Sequence, residues 1–227
     1  MMPAMSPAIF SFFQRHAIVP AIVLDDETKA APLAEALFAG GLPCAEVTLR
    51  SPNALKVLAT MAQHPGVLVG AGTVINTKQA AEAIAAGAKF IVSPGIDASL
   101  VRFCQEKEVP IIPGAVTGSE MMQAVNLGLT CVKFFPCESS GGLPALKALH
   151  GPFPELHFMP TGGINGETFQ RYLSFAPVLA IGGTWTVRPE WLRSESYDLI
   201  EDACRLTMIQ VLRLRHPVPM TSAVAAA

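Results

Sequence analysis

Short hydrophobic runs alternate along most of the chain with longer segments in which apolar residues recur at helical spacing. Each run ends in a turn containing glycine, proline or a small polar residue, and an alanine-rich amphipathic stretch follows. Short apolar runs bounded by turns are typical of buried strands, whereas the longer period is typical of helices. The pattern predicts eight strands, at Ala17–Leu24, Cys44–Leu49, Val67–Thr73, Lys89–Ser93, Pro110–Pro113, Thr130–Phe135, His157–Thr161 and Val178–Gly183.

Helices are predicted between these strands and after the last one. Repeated βα units of about 20–25 residues imply parallel strands joined by right-handed crossovers. Eight units favour an α/β protein with a closed (β/α)8 TIM barrel over an open doubly wound sheet. The first strand is also followed by no glycine-rich dinucleotide fingerprint. The predicted helices are Thr28–Ala39, Pro52–His64, Thr77–Ala86, Ala98–Glu108, Gly118–Leu127, Leu143–Leu149, Gly166–Ser174 and Tyr197–Leu214.

The chain is expected to form a single domain. Its 227 residues are 51% hydrophobic and 15% charged, which suits a large core. We expect residues 1–16 to form an N-terminal extension or helix, residues 17–214 the barrel, and residues 215–227 a flexible tail.

Charge and composition favour a small-molecule partner. The net charge of −2, without a basic run, gives no footprint for nucleic acid or an anionic membrane. No apolar run approaches the length of a membrane span, and the N-terminal segment lacks the basic region of a secretory signal. Five dispersed cysteines without a C-x-x-C pair and five scattered histidines suggest reduced thiols in a cytoplasmic protein and no metal site.

Lys133 is the only charged residue in the apolar, aromatic segment Thr130–Pro136, which is predicted to be a buried strand. Burial disfavours an ammonium, so such a lysine tends to become a neutral amine. A neutral amine can attack a ketone and form a Schiff base. The alternative is a structural lysine that extends from the strand end to water.

Chemistry in such barrels collects at the C-terminal ends of the strands. Lys89 and His157 open their strands and are therefore expected to be structural. Side chains two residues apart share a face, so Glu46, Thr48 and Arg50 are predicted to face the barrel axis. Glu46 and Arg50 either neutralise each other, or Glu46 moves protons while Arg50 holds a substrate carboxylate.

The same alternation places Cys131, Lys133 and Phe135 on one face of the sixth strand. Thr73, Pro94 and Thr161 also lie near strand ends and are predicted to converge on the same mouth.

Two glycine pairs follow the last two predicted strands, Gly162-Gly163 and Gly182-Gly183. Loops after strands seven and eight often bind phosphate in these barrels, because glycines let backbone N–H groups approach the anion and a helix start adds positive charge. The pairs predict a phosphorylated ligand.

Seven dispersed stretches together closely resemble the class I 2-keto-3-deoxy-6-phosphogluconate (KDPG) aldolases, which often also accept 4-hydroxy-2-oxoglutarate (KHG). The resemblance runs from about Ile18 to Trp185. The stretches are Glu46-Val47-Thr48-Leu49-Arg50, Gly70-Ala71-Gly72-Thr73-Val74, Ser93-Pro94-Gly95, Ile112-Pro113-Gly114, Val132-Lys133-Phe134-Phe135-Pro136, Pro160-Thr161-Gly162-Gly163-Ile164 and Ile181-Gly182-Gly183.

The resemblance implies a role for each candidate residue. Lys133 would form the Schiff base and Glu46 would be the general acid and base. The resemblance implies a homotrimer, and it implies no metal or organic cofactor. Arg50, Thr73 and Thr161 would contact the substrate carboxylate, Pro94 and Phe135 would line the pocket, and Gly162, Gly163, Gly182, Gly183 and Thr184 would enclose the phosphate.

Two positions depart from the family pattern. Thr184 replaces the usual serine, which could narrow the phosphate pocket, and Cys137 replaces the usual alanine, which could alter reactivity toward oxidants.

The resemblance implies cleavage of KDPG to pyruvate and glyceraldehyde 3-phosphate, with KHG as a further substrate. The same chemistry on the C4 epimer, 2-keto-3-deoxy-6-phosphogalactonate, is an alternative. Two different classes of function would also fit such a barrel: a phosphosugar isomerase with Glu46 as its base, and a non-catalytic protein that binds a phosphorylated metabolite.

Overall fold

Parallel strands alternate with helices throughout the computed structural model, which describes residues 5–215. Each of the eight predicted strands is present, although two have shrunk to a pair of residues. Prolines and glycines flank the apolar dipeptides of β4 and β5, which keeps these strands short. The strands are β1 Ile18–Ile22, β2 Cys44–Thr48, β3 Leu68–Gly72, β4 Ile91–Val92, β5 Ile111–Ile112, β6 Cys131–Phe134, β7 His157–Pro160 and β8 Ile181–Gly183.

The strands form a curled parallel sheet. Six of them pair in the order β5-β4-β3-β2-β1-β8, and β6 pairs with β7. Isolated parallel bridges join Gly114 to Lys133 at one edge of this pair, and Thr161 to Gly182 at the other. The α/β class and the parallel sheet are therefore confirmed, with ladder pairing over six and two strands instead of one unbroken ring of eight.

Ten α-helices lie within residues 5–215. Local sequence explains several starts: Asn76, Asp97 and Thr117 cap α4, α5 and α6, and Thr117 forms a capping box with Glu120. The helices are α1 Pro7–His16, α2 Ala30–Ala39, α3 Ala54–Ala62, α4 Thr77–Ala85, α5 Ala98–Glu106, α6 Gly118–Asn126, α7 Gly142–His150, α8 Phe169–Leu173, α9 Pro189–Arg193 and α10 Tyr197–Arg215.

The short helix α9 was missed by the sequence prediction, because five residues give too little periodicity to read. The predicted tail, apart from Arg215, lies outside the described residues. Within the described part of the chain, no helix combines the length and hydropathy that a bilayer crossing requires.

Two apolar clusters fill the interior. The larger lies between the sheet and the outer helices and includes Ala45, Val47, Val132 and Phe134. The smaller lies within the curl of the sheet, and Cys131 belongs to it. The predicted division of β6 into an inner and an outer face is therefore correct.

Helix α1 packs against the inner cluster at the end where the strands begin. Pro7 occupies its first turn, Ser6 caps it, and Ala17 ends it in the left-handed conformation. Phe13 is fully buried, with its ring edge-on to Phe90 at a centroid distance of 5.2 Å. This packing fills the interior with apolar groups at the end where the strands begin. Polar side chains are therefore expected at the opposite end, where the strands finish.

Candidate active site

A buried ion pair joins β6 to β2. Lys133 Nζ donates to Glu46 Oε1 at 3.1 Å, and the two residues are only 6% and 1% exposed. The alternative of a lysine extending to water is therefore wrong.

The second oxygen of the carboxylate remains available. Glu46 Oε2 is buried and has no protein hydrogen-bond partner among residues 5–215. One oxygen can therefore hold the lysine while the other accepts a hydrogen bond from a water or a substrate hydroxyl.

Two inward-facing glycines of β3 make room for neighbouring side chains, Gly72 for the Glu46 carboxylate and Gly70 for the Phe90 ring. Glu46 pairs in register with Gly70, and Thr48 with Gly72. A Cβ on Gly72 would lie 2.1 Å from Glu46 Oε1, and one on Gly70 would lie 2.4 Å from the Phe90 ring. The sequence prediction did not assign this role, although glycine at alternate positions of a strand signals such a close approach.

Glu46 faces the interior as predicted, and Arg50 lies just beyond the end of the strand. The strand ends at Thr48, whose hydroxyl donates to the Ile22 carbonyl of β1 at 2.8 Å. Arg50 lies in the following turn, so strand alternation no longer sets its direction. Its side chain is exposed, and Nε donates to Thr73 Oγ1 at 3.1 Å. Glu46 is paired with Lys133, so the alternative of a Glu46–Arg50 ion pair is also wrong.

The other predicted carboxylate and pocket residues lie on several elements. Thr73 adopts a left-handed φ of 58° directly after β3. Thr161 is buried, and its hydroxyl donates to the Met159 carbonyl at 3.3 Å. The Lys133 ammonium nitrogen lies 5.2 Å from the centroid of the Phe135 ring, and Pro94 is exposed in the loop after β4.

The two glycine pairs differ in their surroundings. Gly162 and Gly163 form a turn with φ of 102° and 84°, and within residues 5–215 their N–H groups donate to no protein acceptor. A Cβ on Gly182 would meet Thr161 Oγ1 at 2.3 Å, and one on Gly183 would meet the Trp185 ring at 1.9 Å. Close packing therefore suffices to explain the second pair.

The expectation that a helix start adds charge at these turns is not met. Helices α8 and α9 begin at Phe169 and Pro189, well after the glycines, and each has five residues. Short loops separate the glycines from both helices, and Thr184 is exposed in one of them.

Glu138 lies beside the Gly162–Gly163 turn and was missed by the sequence prediction. Its carboxylate accepts hydrogen bonds from Arg171 Nη2 at 2.6 Å and from the buried Tyr172 hydroxyl. The hydrogen bond from Tyr172 is the main cause that lowers the pKa of Glu138, and Arg171 lowers it further. Burial raises the pKa of the Tyr172 hydroxyl. No local pattern could reveal this contact, because it depends on where α8 packs.

The five cysteines are buried free thiols. Burial raises the pKa of Cys137 to about 11, so at neutral pH this departure from the family pattern is a protonated, buried thiol. Among the described residues, no group of histidine, cysteine and acidic side chains could hold a metal ion.

The chain matches the family model "KDPG and KHG aldolase" over residues 9–203. It is 44% identical to the 2-dehydro-3-deoxy-phosphogluconate aldolase of Dickeya dadantii over 83% of this chain and 89% of that protein. It is 43% identical to the KHG/KDPG aldolase of Escherichia coli over the same shares.

Solved structures give the same result. The KDPG aldolase of Legionella pneumophila, crystallised with pyruvate captured as a covalent carbinolamine, superposes with a TM-score of 0.84 and 42% identity. The match covers 87% of this chain and 97% of that one. The chain is thus an aldolase, a carbon–carbon lyase, and it belongs to the KDPG and KHG aldolase family.

Proposed function

We propose that this enzyme is a class I aldolase that cleaves KDPG to pyruvate and glyceraldehyde 3-phosphate through a Schiff base on Lys133. The observation that carries this proposal is the buried contact of 3.1 Å between Lys133 and Glu46. The relatives named KDPG aldolase and the covalent pyruvate adduct of the Legionella pneumophila enzyme support it.

The reaction begins with proton transfer from the lysine to Glu46, which leaves a neutral amine. This amine attacks the C2 ketone, and the carbinolamine loses its oxygen as water to give an iminium. Glu46, relieved of its proton during this dehydration, then removes the C4 hydroxyl proton, directly or through one water. The C3–C4 bond breaks toward the iminium, which gives an aldehyde and an enamine of pyruvate. Protonation at C3 and hydrolysis of the imine release pyruvate and regenerate the lysine.

The remaining site residues bind the two ends of the substrate. In this proposal Arg50, Thr73 and Thr161 bind the carboxylate, while Pro94 and Phe135 line the pocket beside C2. The phosphate occupies the other end, against the backbone of Gly162 and Gly163 and the exposed Thr184. In this proposal the absence of side chains at Gly182 and Gly183 lets the end of β8 lie close to the Gly162–Gly163 turn.

We further infer that residues 17–214 form one domain in which the two ladders close into an eight-stranded barrel. The bridges from Gly114 to Lys133 and from Thr161 to Gly182 support closure. A homotrimer is proposed on the family resemblance alone, and a cytoplasmic location on the free thiols.

Reductive trapping tests the proposed function. Treatment with pyruvate and borohydride should add one reduced pyruvyl group at Lys133, detected by peptide mass spectrometry. The variant Lys133→Ala should lose both the adduct and KDPG cleavage. The control Lys89→Ala, which changes an exposed lysine, should keep both. An isomerase or a binding protein would give no adduct, and that result would refute the aldolase mechanism.

Substrate choice is tested separately. Values of kcat/KM for KDPG, its C4 epimer and KHG should rank KDPG first. A higher value for either of the others would reassign the physiological aldehyde without changing the role of Lys133.

A further inference from the structure

The Gly162–Gly163 turn is held from outside by the loop that follows β6. Cys137 N–H donates to the Thr161 carbonyl at 2.8 Å, and Glu138 N–H donates to the Gly162 carbonyl at 3.0 Å. Consecutive glycines with positive φ have many other conformations available, so a turn built from them needs such contacts to stay in one. The segment after Lys133 is therefore the support of the turn.

The Glu138 side chain completes this support. A Cβ placed on Gly163 would lie 2.7 Å from Glu138 Cγ, so the methylene groups of Glu138 pack directly over the turn. The carboxylate then reaches α8, where Arg171 and Tyr172 donate to the same oxygen, Oε1. One side chain thus joins the loop after β6, the turn after β7 and the helix that follows the turn.

The charge of Glu138 is unexpected at this place. The negative carboxylate of Glu138 would repel a phosphate bound beside it. The Arg171 guanidinium, 2.6 Å from the carboxylate, offsets the negative charge of Glu138. Packing over the turn alone would not require an acidic side chain. The two donors from α8 give the acid a geometric purpose, because an acceptor at this position fixes the side chain over Gly163.

We propose that Glu138 is a positioning residue that fixes the Gly162–Gly163 turn for the phosphate end of the substrate. This proposal rests on the proposed function, and it separates the two ends of the site. Loss of the side chain should weaken binding of the phosphorylated substrate and leave Schiff-base formation at Lys133 unchanged.

Three variants test this role. Glu138→Ala should raise KM for KDPG about tenfold, the equivalent of about one net hydrogen bond, with kcat nearly unchanged. Glu138→Gln keeps the acceptor and the packing over Gly163, so KM should stay within about threefold of the parent value. Tyr172→Phe removes one donor while retaining the ring, and should raise KM in the same direction but less.

The controls separate positioning from charge and from the chemistry. Glu167→Ala removes the same charge from an exposed site in the following loop and should leave KM unchanged. The pyruvate concentration that gives half-maximal borohydride trapping should be the same for the parent and the Glu138 variants. Failure of the parent enzyme to trap pyruvate would instead refute the aldolase function itself.

Two results would overturn the proposal. The first is a lower KM in both Glu138→Ala and Glu138→Gln, which would mean that the carboxylate acts only by repelling the phosphate, because both variants remove its charge. The second is a loss of pyruvate trapping as large as the loss of KDPG cleavage, which would mean that Glu138 has a general structural role. Binding of inorganic phosphate, followed by NMR titration, gives a readout without turnover: it should weaken in Glu138→Ala and persist in Glu138→Gln.

Discussion

A methyl group at position 72 should displace the proposed general base. In Gly72→Ala the new Cβ would lie 2.1 Å from Glu46 Oε1, 2.6 Å from its Cγ and 2.7 Å from its Cδ. Restoring ordinary contact requires the carboxyl group to retreat by about 1 Å, and misplacement of this size costs on the order of a hundredfold in rate. The hydrogen bond of 3.1 Å to Lys133 would be lost in that retreat.

The assay is steady-state release of pyruvate from KDPG, with thermal unfolding measured on the same samples. We expect kcat to fall about a hundredfold and stability by about 1–3 kcal/mol, the usual range for an overpacked interior. Gly118→Ala is the matched control, because nothing lies within 4 Å of its added Cβ at the start of α6, and its activity should be that of the parent.

A double variant sharpens the reasoning. Glu46→Asp withdraws the carboxylate from Gly72, so adding it to Gly72→Ala should cost much less than adding it to the parent chain. Such coupling is the signature of two groups that share one space. A folded Gly72→Ala enzyme within about threefold of the parent kcat, or strictly additive losses, would refute the steric account.

Two further predictions concern helix α1, which closes the apolar end of the interior. Phe13→Ala should lower the free energy of unfolding by about 3–5 kcal/mol in chemical denaturation, because it removes a fully buried ring packed against Phe90. The pKa of His16 is lowered mainly by burial, so the unfolded chain binds this proton more readily, and stability should fall as pH drops below about 6.5. Melting temperatures between pH 5 and pH 8 should show this loss in the parent and less of it in His16→Gln; identical profiles would refute the assignment.

The fold was predictable from sequence where burial acts locally. Each predicted strand is an apolar run, and alternation along β6 placed Cys131 and Val132 on the correct faces. The same rule does not extend to Arg50, because the chain leaves the strand after Thr48 and turns. The position of Arg50 is set instead by its hydrogen bond to Thr73, a contact between two loops that no local pattern marks.

Contacts between distant segments were not predictable in this way. Glu138 meets Tyr172 across 34 positions, and that contact exists only because α8 packs beside the loop after β6. Gly72 was visible in the sequence, but its purpose requires knowing that the Glu46 carboxylate lies against it. Sequence patterns thus gave more information on the proposed reacting groups than on the residues that position them.

Stability alone does not account for the centre of this site. Burying two charges costs several kcal/mol per ion, and apolar residues of similar volume often replace such a pair without loss. The cost here is increased by Glu46 Oε2, which is buried without a protein donor among the described residues, and by Gly72, which gives up side-chain packing to admit the carboxylate. A lysine whose proton can pass to an adjacent base, with one carboxylate oxygen left free for substrate, is what Schiff-base chemistry requires. The unfavourable contributions therefore concentrate where the proposed reaction uses them, while the apolar packing of α1 and the lower interior supplies the compensating stability.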